Sequence, residues 1–186
     1  MRSCPSWPVR LAARMIHGGG VVAYPTEGVF GLGCDPLQGA AVERILKLKG
    51  RSVDKGLILI AADFAQLQSY LLPLTAQIRA RLEGTWPGPV TWLLPARADV
   101  PRWLRGRHDT LAVRVTAHPL AACLCQRVGS AIVSTSANRA GRPPARTTLQ
   151  VRRSLGAGID YILPGAIGRR AGPSEIRDGR TGQRIR

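Results

Sequence analysis

The sequence predicts an α/β fold built on a mixed sheet. Short apolar runs of strand length alternate with stretches of helical periodicity along most of the 186 residues. Three polar segments each follow such an apolar run, where open α/β sheets place their ligands. The tail adds strand-like segments with no helix between them, which makes the sheet mixed rather than wholly parallel.

Residues 8–17 (PVRLAARMIH) read as a helix, stopped by Gly18-Gly19-Gly20. Val21 to Tyr24 is a short buried strand. Pro25 to Pro36 carries too many glycines for a regular element and reads as a loop. A helix follows over 39–49, with Val42, Ile45, Leu46 and Lys49 near one face, so that Lys49 sits at its C-terminal end. Leu57 to Ala61 is an apolar strand. Asp63 and Gln66 form a capping-box pattern opening a helix to about Leu71, and another helix spans roughly 75–82. Trp86-Pro87-Gly88-Pro89 breaks the chain before a strand at 90–94. Pro101 to Arg107 is an irregular basic turn, and Thr110 to Val115 is a strand in which Arg114 interrupts the apolar run. A helix at 119–128 leads into the strand Ala131 to Ser134. Thr147 or Thr148 caps a helix through Leu155. Tyr161–Leu163, Ser174–Arg177 and Gln183–Ile185 read as short strands.

Composition narrows the class. Hydrophobic residues make up 45% and charged residues 20%, which excludes disorder, and the length suits one domain over residues 1–186. No apolar run reaches the ~18 residues that span a bilayer, and the N-terminus lacks the apolar stretch of a secretion signal. The expected location is the cytoplasm, with no membrane partner. Cys4, Cys34, Cys123 and Cys125 lack zinc spacing, and His17, His108 and His118 are scattered, so neither a structural metal site nor a disulfide framework is expected.

The basic residues are unevenly used. Of 27, 24 are Arg and 3 are Lys, and Lys47, Lys49 and Lys55 fall within nine positions. They surround the run Lys49 to Gly56. Clustered cations beside glycines suit a polyphosphate, which needs several positive charges and close backbone approach; a solvated basic turn after a helix is the alternative. The net charge of +16 suggests polyanion partners, nucleotide or RNA or both, unless the arginines merely reflect coding bias. In Ser134-Thr135-Ser136-Ala137-Asn138, residues Ser134, Ser136 and Asn138 point one way if the backbone stays extended. Two hydroxyls and an amide then suit phosphate oxygens or a small polar ligand, unless they only satisfy turns. No nucleophile–base constellation is evident. A basic, hydroxyl-rich site without acid–base machinery suits phosphoryl or nucleotidyl transfer, usually with a magnesium ion.

Seven motifs occur in order: Tyr24-Pro25-Thr26-Glu27, Gly31-Leu32-Gly33-Cys34-Asp35, Lys49-Gly50-Arg51 with Asp54-Lys55-Gly56, Trp86 to Thr91, Leu111 to Arg114, Ser134 to Asn138, and Pro173 to Asp178. Together they resemble the TsaC/YrdC family of threonylcarbamoyl-AMP synthases, from about residue 8 to the end. The resemblance implies a twisted YrdC-like sheet with a basic concave face. It implies an enzyme that makes threonylcarbamoyl-adenylate and pyrophosphate from L-threonine, bicarbonate and ATP, with magnesium held mainly through the phosphates. Partner proteins would then transfer the threonylcarbamoyl group to tRNA beside the anticodon, and direct tRNA contact by this chain is a further expectation.

By the same resemblance, Lys49 and Arg51 grip the ATP phosphates and carry catalysis. Lys55, Thr110, Ser136, Asn138, Pro144 and Arg186 match further ATP contacts. Arg114, Ser134, Ser174 and Thr26 match the threonine site, with Arg114 suited to clamp a carboxylate. Gly28 stands where longer relatives carry a hydroxyl, and Ile60 where they carry a His; those roles do not carry over. By the same resemblance, the chain as read to Arg186 is expected to correspond to the short form of the family, without the extra domain of the longer relatives. A non-catalytic RNA-binding module is the rival that the charge favours. A related domain using another carbamoyl donor would require a larger multidomain chain.

Overall fold

The computed structural model describes residues 6–169, 172 and 174–185. Eight strands form one sheet: β1 (Val22–Pro25), β2 (Phe30–Gly33), β3 (Ile58–Ala61), β4 (Val90–Pro95), β5 (Thr110–Val115), β6 (Ile132–Ser136), β7 (Tyr161–Ile162) and β8 (Glu175–Asp178), in the order β7-β1-β2-β6-β3-β5-β4-β8. Six helices accompany them: α1 (Ser6–His17), α2 (Gly39–Lys49), α3 (Ala76–Glu83), α4 (Arg102–Arg105), α5 (Pro119–Val128) and α6 (Thr148–Leu155). The sheet is mixed, as expected, but for a different reason. The tail strands β7 and β8 pair parallel with β1 and β4. The antiparallel pairs lie inside, at β1–β2, β2–β6, β3–β6 and β4–β5.

The segment expected to be a glycine-rich loop contains a strand. In β2, Gly31 and Gly33 lie under the Tyr24 ring, whose hydroxyl donates to the Val133 carbonyl at 3.1 Å. A Cβ on Gly33 would run into that carbonyl and the ring, so here glycine permits a close crossing rather than a turn. The expected helix after Asp63 is a 3-10 segment, Ala65–Tyr70; the Asp63 cap forms nevertheless, accepting from the Gln66 amide at 3.1 Å. The basic turn after Pro101 contains α4.

Strand alternation divides the side chains of β5. Leu111, Val113 and Val115 enter a core shared with α2, α3, Trp92 and Leu94. Thr110, Ala112 and Arg114 face the opposite way, into a cleft. On that second face, α1 and α5 cover one part of the sheet. Val9, Ala12, Ala13 and Ile16 of α1 repeat at helical spacing and pack with Leu124, Cys125 and Val128 of α5 over Val22, Tyr24, Ile60 and Ile132. Each such fully buried aliphatic side chain contributes about 1.5–3 kcal/mol. Beyond these helices the face opens into the cleft. Cys34 and Cys125 are free and buried, whereas Cys123 is disulfide-bonded, which the sequence reading did not expect.

One backbone crossing sets the wall of the cleft. The basic loop 51–56 lies against α4: the Leu57 amide donates to the Leu104 carbonyl at 2.8 Å, and the Arg107 amide to that of Asp54 at 3.2 Å. Gly106 has φ +68°, and a Cβ there would collide with the Asp54 carbonyl. Gly106→Ala is expected to lower stability by at least about 1–3 kcal/mol through backbone strain alone and to displace the loop. Denaturant unfolding checks the first effect; a wild-type midpoint would refute it.

Candidate functional site

The cleft has a volume of about 380 Å³. Four basic residues, Arg51, Lys55, Arg105 and Arg114, line it. So do Thr26, Thr110, Ser134, Ser136 and Ser174, together with Gly28 of the β1–β2 loop and Gly31 of β2. Eight of the residues singled out in the sequence therefore converge: Thr26, Arg51, Lys55, Thr110, Arg114, Ser134, Ser136 and Ser174. They come from five separate stretches of chain.

Three others stand elsewhere. Lys49 is 6% exposed and lies behind the wall. Its ammonium donates to the carbonyls of Ser136 at 2.5 Å and Asn138 at 2.9 Å, and to Asn138 Oδ1 at 3.2 Å. Asn138 is outside the lining because the chain turns after β6, with the Asn138 amide donating back to the Ser136 carbonyl at 2.9 Å. The extended alternation thus holds for Ser134 and Ser136 and fails at Asn138. Its amide group closes the turn instead: Oδ1 accepts from Ser136 Oγ at 2.6 Å, and Nδ2 donates to the Arg142 carbonyl at 2.7 Å. Pro144 is half-buried just before Ala145, whose carbonyl accepts from the Phe30 amide at 2.8 Å. Arg186 lies outside the described residues.

The lining groups are held in place by local bonds. Arg51 donates from Nε and a terminal nitrogen to the Gly56 carbonyl, at 3.2 and 2.9 Å, and so clasps the loop that carries Lys55. Thr26 Oγ1 donates to the Val29 carbonyl at 2.7 Å, leaving its lone pairs to accept. Ser174 Oγ sits 3.0 Å from Thr91 Oγ1. Arg114 is 6% exposed and lies 3.4 Å from Glu27 Oε2. Burial pushes the Glu27 carboxyl up, but the Arg114 charge and the Thr116 hydroxyl outweigh it, and the net shift is downward. Glu27 is therefore a carboxylate at neutral pH.

Such a cleft can neutralise an anion with several charges while presenting hydroxyls and a guanidinium to a second, smaller ligand. Three comparisons bear on what it does. The Sua5/YciO/YrdC family model, described as "Telomere recombination", matches residues 14–186. The chain belongs to the Sua5/YciO/YrdC family. A threonylcarbamoyl-AMP synthase of Nitrosococcus oceani is 80% identical over 184 residues, covering 99% of this chain and 100% of that one. A synthase of the same name from Halorhodospira halophila is 54% identical over the full length of both. The crystal structure of P. abyssi Sua5 complexed with L-threonine superposes with a TM-score of 0.87 at 37% identity, covering 92% of this chain; this chain spans 51% of that one.

Within this Sua5/YciO/YrdC chain, sequence reasoning gave no role to the titratable lining residues Glu27, Arg105 and His108. Arg105 and His108 stood in the turn read only as basic; the Arg105 guanidinium bonds the carbonyls of Val100 and His108. Glu27 stood in a quoted motif without a role. Of the two departures noted in the sequence, Gly28 lines the cleft, and its carbonyl accepts from Arg146 at 3.1 Å. Ile60 is fully buried in the core beneath α1 and α5.

Burial and the neighbouring Arg51 charge push the Lys49 ammonium down to about 8, and the three oxygens around it favour the charged form. With three lysines in the chain, side-chain NMR titration resolves it: the Lys49 signal, assigned by its loss in Lys49→Met, is expected to titrate near pH 8. A midpoint at or above its ordinary value of 10.5 would refute the burial argument.

Proposed function

We propose that this chain is a threonylcarbamoyl-AMP synthase, forming threonylcarbamoyl-adenylate and pyrophosphate from L-threonine, bicarbonate and ATP. One observation carries the reading. A single cleft gathers the cationic loop of Arg51 and Lys55 with Ser136, and also Arg114, Ser134, Thr26 and Ser174. The first group suits a triphosphate and the second an amino acid with a carboxylate and a hydroxyl. The names of the relatives and the Sua5 complex with L-threonine support the assignment.

The chemistry follows from that placement. The neutral threonine amine adds to the carbon of CO2 derived from bicarbonate and loses a proton, which the hydroxide released from bicarbonate takes up as water, leaving a carbamate. A carbamate oxygen attacks the α-phosphorus of ATP in line. The bond to the β-phosphate oxygen breaks, and pyrophosphate leaves with its electron pair. Arg51 and Lys55 offset charge growing on the leaving group, and Arg114 and Ser134 hold the threonine. Lys49 and Asn138 shape the turn that presents Ser136, so their part is played from behind the wall. Thr110 lines the cleft; like Pro144 and Arg186 it is assigned to the nucleotide by family resemblance.

Among the described residues no group of three His, Cys, Asp or Glu could hold a metal ion. Glu27, the acidic group in the lining, is engaged by Thr116, Ala117 and Arg114. Magnesium then enters as part of the nucleotide substrate, held by the phosphates. Transfer of the product to tRNA requires partner proteins, and the net charge of +16 supports direct contact with that polyanion. Among the described residues no helix is long and apolar enough to cross a membrane; ATP and tRNA as substrates favour work in the cytoplasm.

Pyrophosphate release should require ATP, threonine and bicarbonate together. Arg51→Ala should lower the rate about 10²–10³-fold with the fold intact by circular dichroism. Salt-sensitive RNA binding without threonine-dependent turnover would establish the binding module instead, and a near-normal Arg51→Ala rate would remove Arg51 from the site.

A further inference from the structure

The cleft lining holds one acidic residue among the described residues, and it is no member of the groups assigned above. Glu27 follows the last position of β1 by two residues and reaches across to the end of β5. Its Oε1 accepts from Thr116 Oγ1 at 2.7 Å and from the Ala117 amide at 3.1 Å. Thr116 Oγ1 in turn accepts from the His118 amide at 3.2 Å, next to the start of α5. One carboxylate oxygen is thus fixed by two donors on a rigid corner of the fold.

The second oxygen behaves differently. Glu27 Oε2 faces Arg114 at 3.4 Å, yet Oε2 and Arg114 Nε are both buried and have no hydrogen-bond partner among the described residues. The two charges attract without a hydrogen bond between them. At this separation, in a buried setting, attraction is strong and little screened. A well-aligned bidentate pair would do the opposite: it would use up the guanidinium donors that an incoming carboxylate needs. Anchoring Glu27 from behind therefore holds the Arg114 charge in place while leaving its hydrogen-bonding capacity unspent.

We propose that Glu27 is a positioning residue for the α-amino-acid substrate: a fixed counter-charge that orients Arg114 towards the ligand carboxylate without competing for its donors. This rests on the synthase reading and adds to it a specific determinant of amino-acid affinity. Removing Glu27's charge should weaken threonine binding selectively. A merely structural ion pair would affect nucleotide and amino acid alike, since Arg51 and Lys55 lie in the same fold.

Glu27→Gln is the informative change. The amide oxygen can still accept from Thr116 and Ala117, but an NH2 group then meets the guanidinium, donor against donor. The KM for threonine is expected to rise about tenfold or more, with ATP affinity measured calorimetrically without threonine staying within about twofold. Thr116→Val is the second variant, for use if Glu27→Gln does not fold. It keeps both charges and removes one anchor, and should raise the threonine KM about threefold with ATP affinity unchanged. A threonine KM unaltered in both, or ATP affinity falling in step with it, would overturn the proposal. Wild-type protein is assayed first: absent threonine-dependent pyrophosphate release there would sink the synthase reading itself, whereas active wild type with indifferent variants sinks only the role of Glu27.

Discussion

The site depends on one buried ammonium. Lys49 closes α2 and inserts its charge into the turn after β6, where three oxygens from two residues surround it. The Ala140 amide returns a bond to the Lys49 carbonyl at 2.8 Å, so the helix end and the turn are joined twice. Without that charge the Asn138 carbonyl would lose its donor and the Ser136 carbonyl would keep only the Asn138 amide, a costly loss in a part-buried place. The left-handed Gly50 then swings the chain out of α2, so that Arg51, the next residue, reaches the cleft. A single lysine thereby sets the position of both the hydroxyl wall and the cationic loop.

Much of the remaining order is backbone accounting. Arg51 ties its own loop to the Gly56 carbonyl, Asn138 ties residues 138–142, and Glu27 ties the β1–β2 loop to the corner before α5. These long polar side chains spend bonds on loop carbonyls and amides that no strand or helix could satisfy. The consequence is a cleft whose charged groups cannot relax far when a charged ligand arrives. Fixed donors cost little reorganisation during reaction, which is the main electrostatic advantage a site without acid–base machinery can have.

How far the sequence was legible follows from the kind of signal involved. Apolar periodicity located α1, α2 and α5 nearly to the residue because each buries one stripe: Val9, Ala12, Ala13 and Ile16 in the first, Ala121, Leu124, Cys125 and Val128 in the last. Arg114 was legible as an interruption of an apolar strand, while the role expected of it came only from the family resemblance. Strand β2 was not legible. Its glycines are selected by the Tyr24 ring crossing above them, a contact between strands that composition does not reveal. Asn138 was placed wrongly because alternation assumes extended backbone, and the chain turns at Ala137. Family resemblance assigned Lys49 and Asn138 to the ATP, whereas their side chains bond the turn after β6.

Glu27 shows the limit of such reading from the other side. Its neighbours in the motif, Thr26 and Gly28, drew attention through expected contacts, while a carboxylate in a cleft meant for anions looks out of place. Its sense appears only when Arg114, Thr116 and Ala117, nearly ninety positions away, are brought beside it. A cleft of cations alone would hold any anion indifferently, and its arginines would turn towards whichever phosphate arrived first. On the proposal made above, one anchored negative charge would retain Arg114 for the amino acid and leave Arg51 and Lys55 to the phosphates. Discrimination between two anionic substrates in one small space requires such a partition, and opposite charge is the cheapest way to build it.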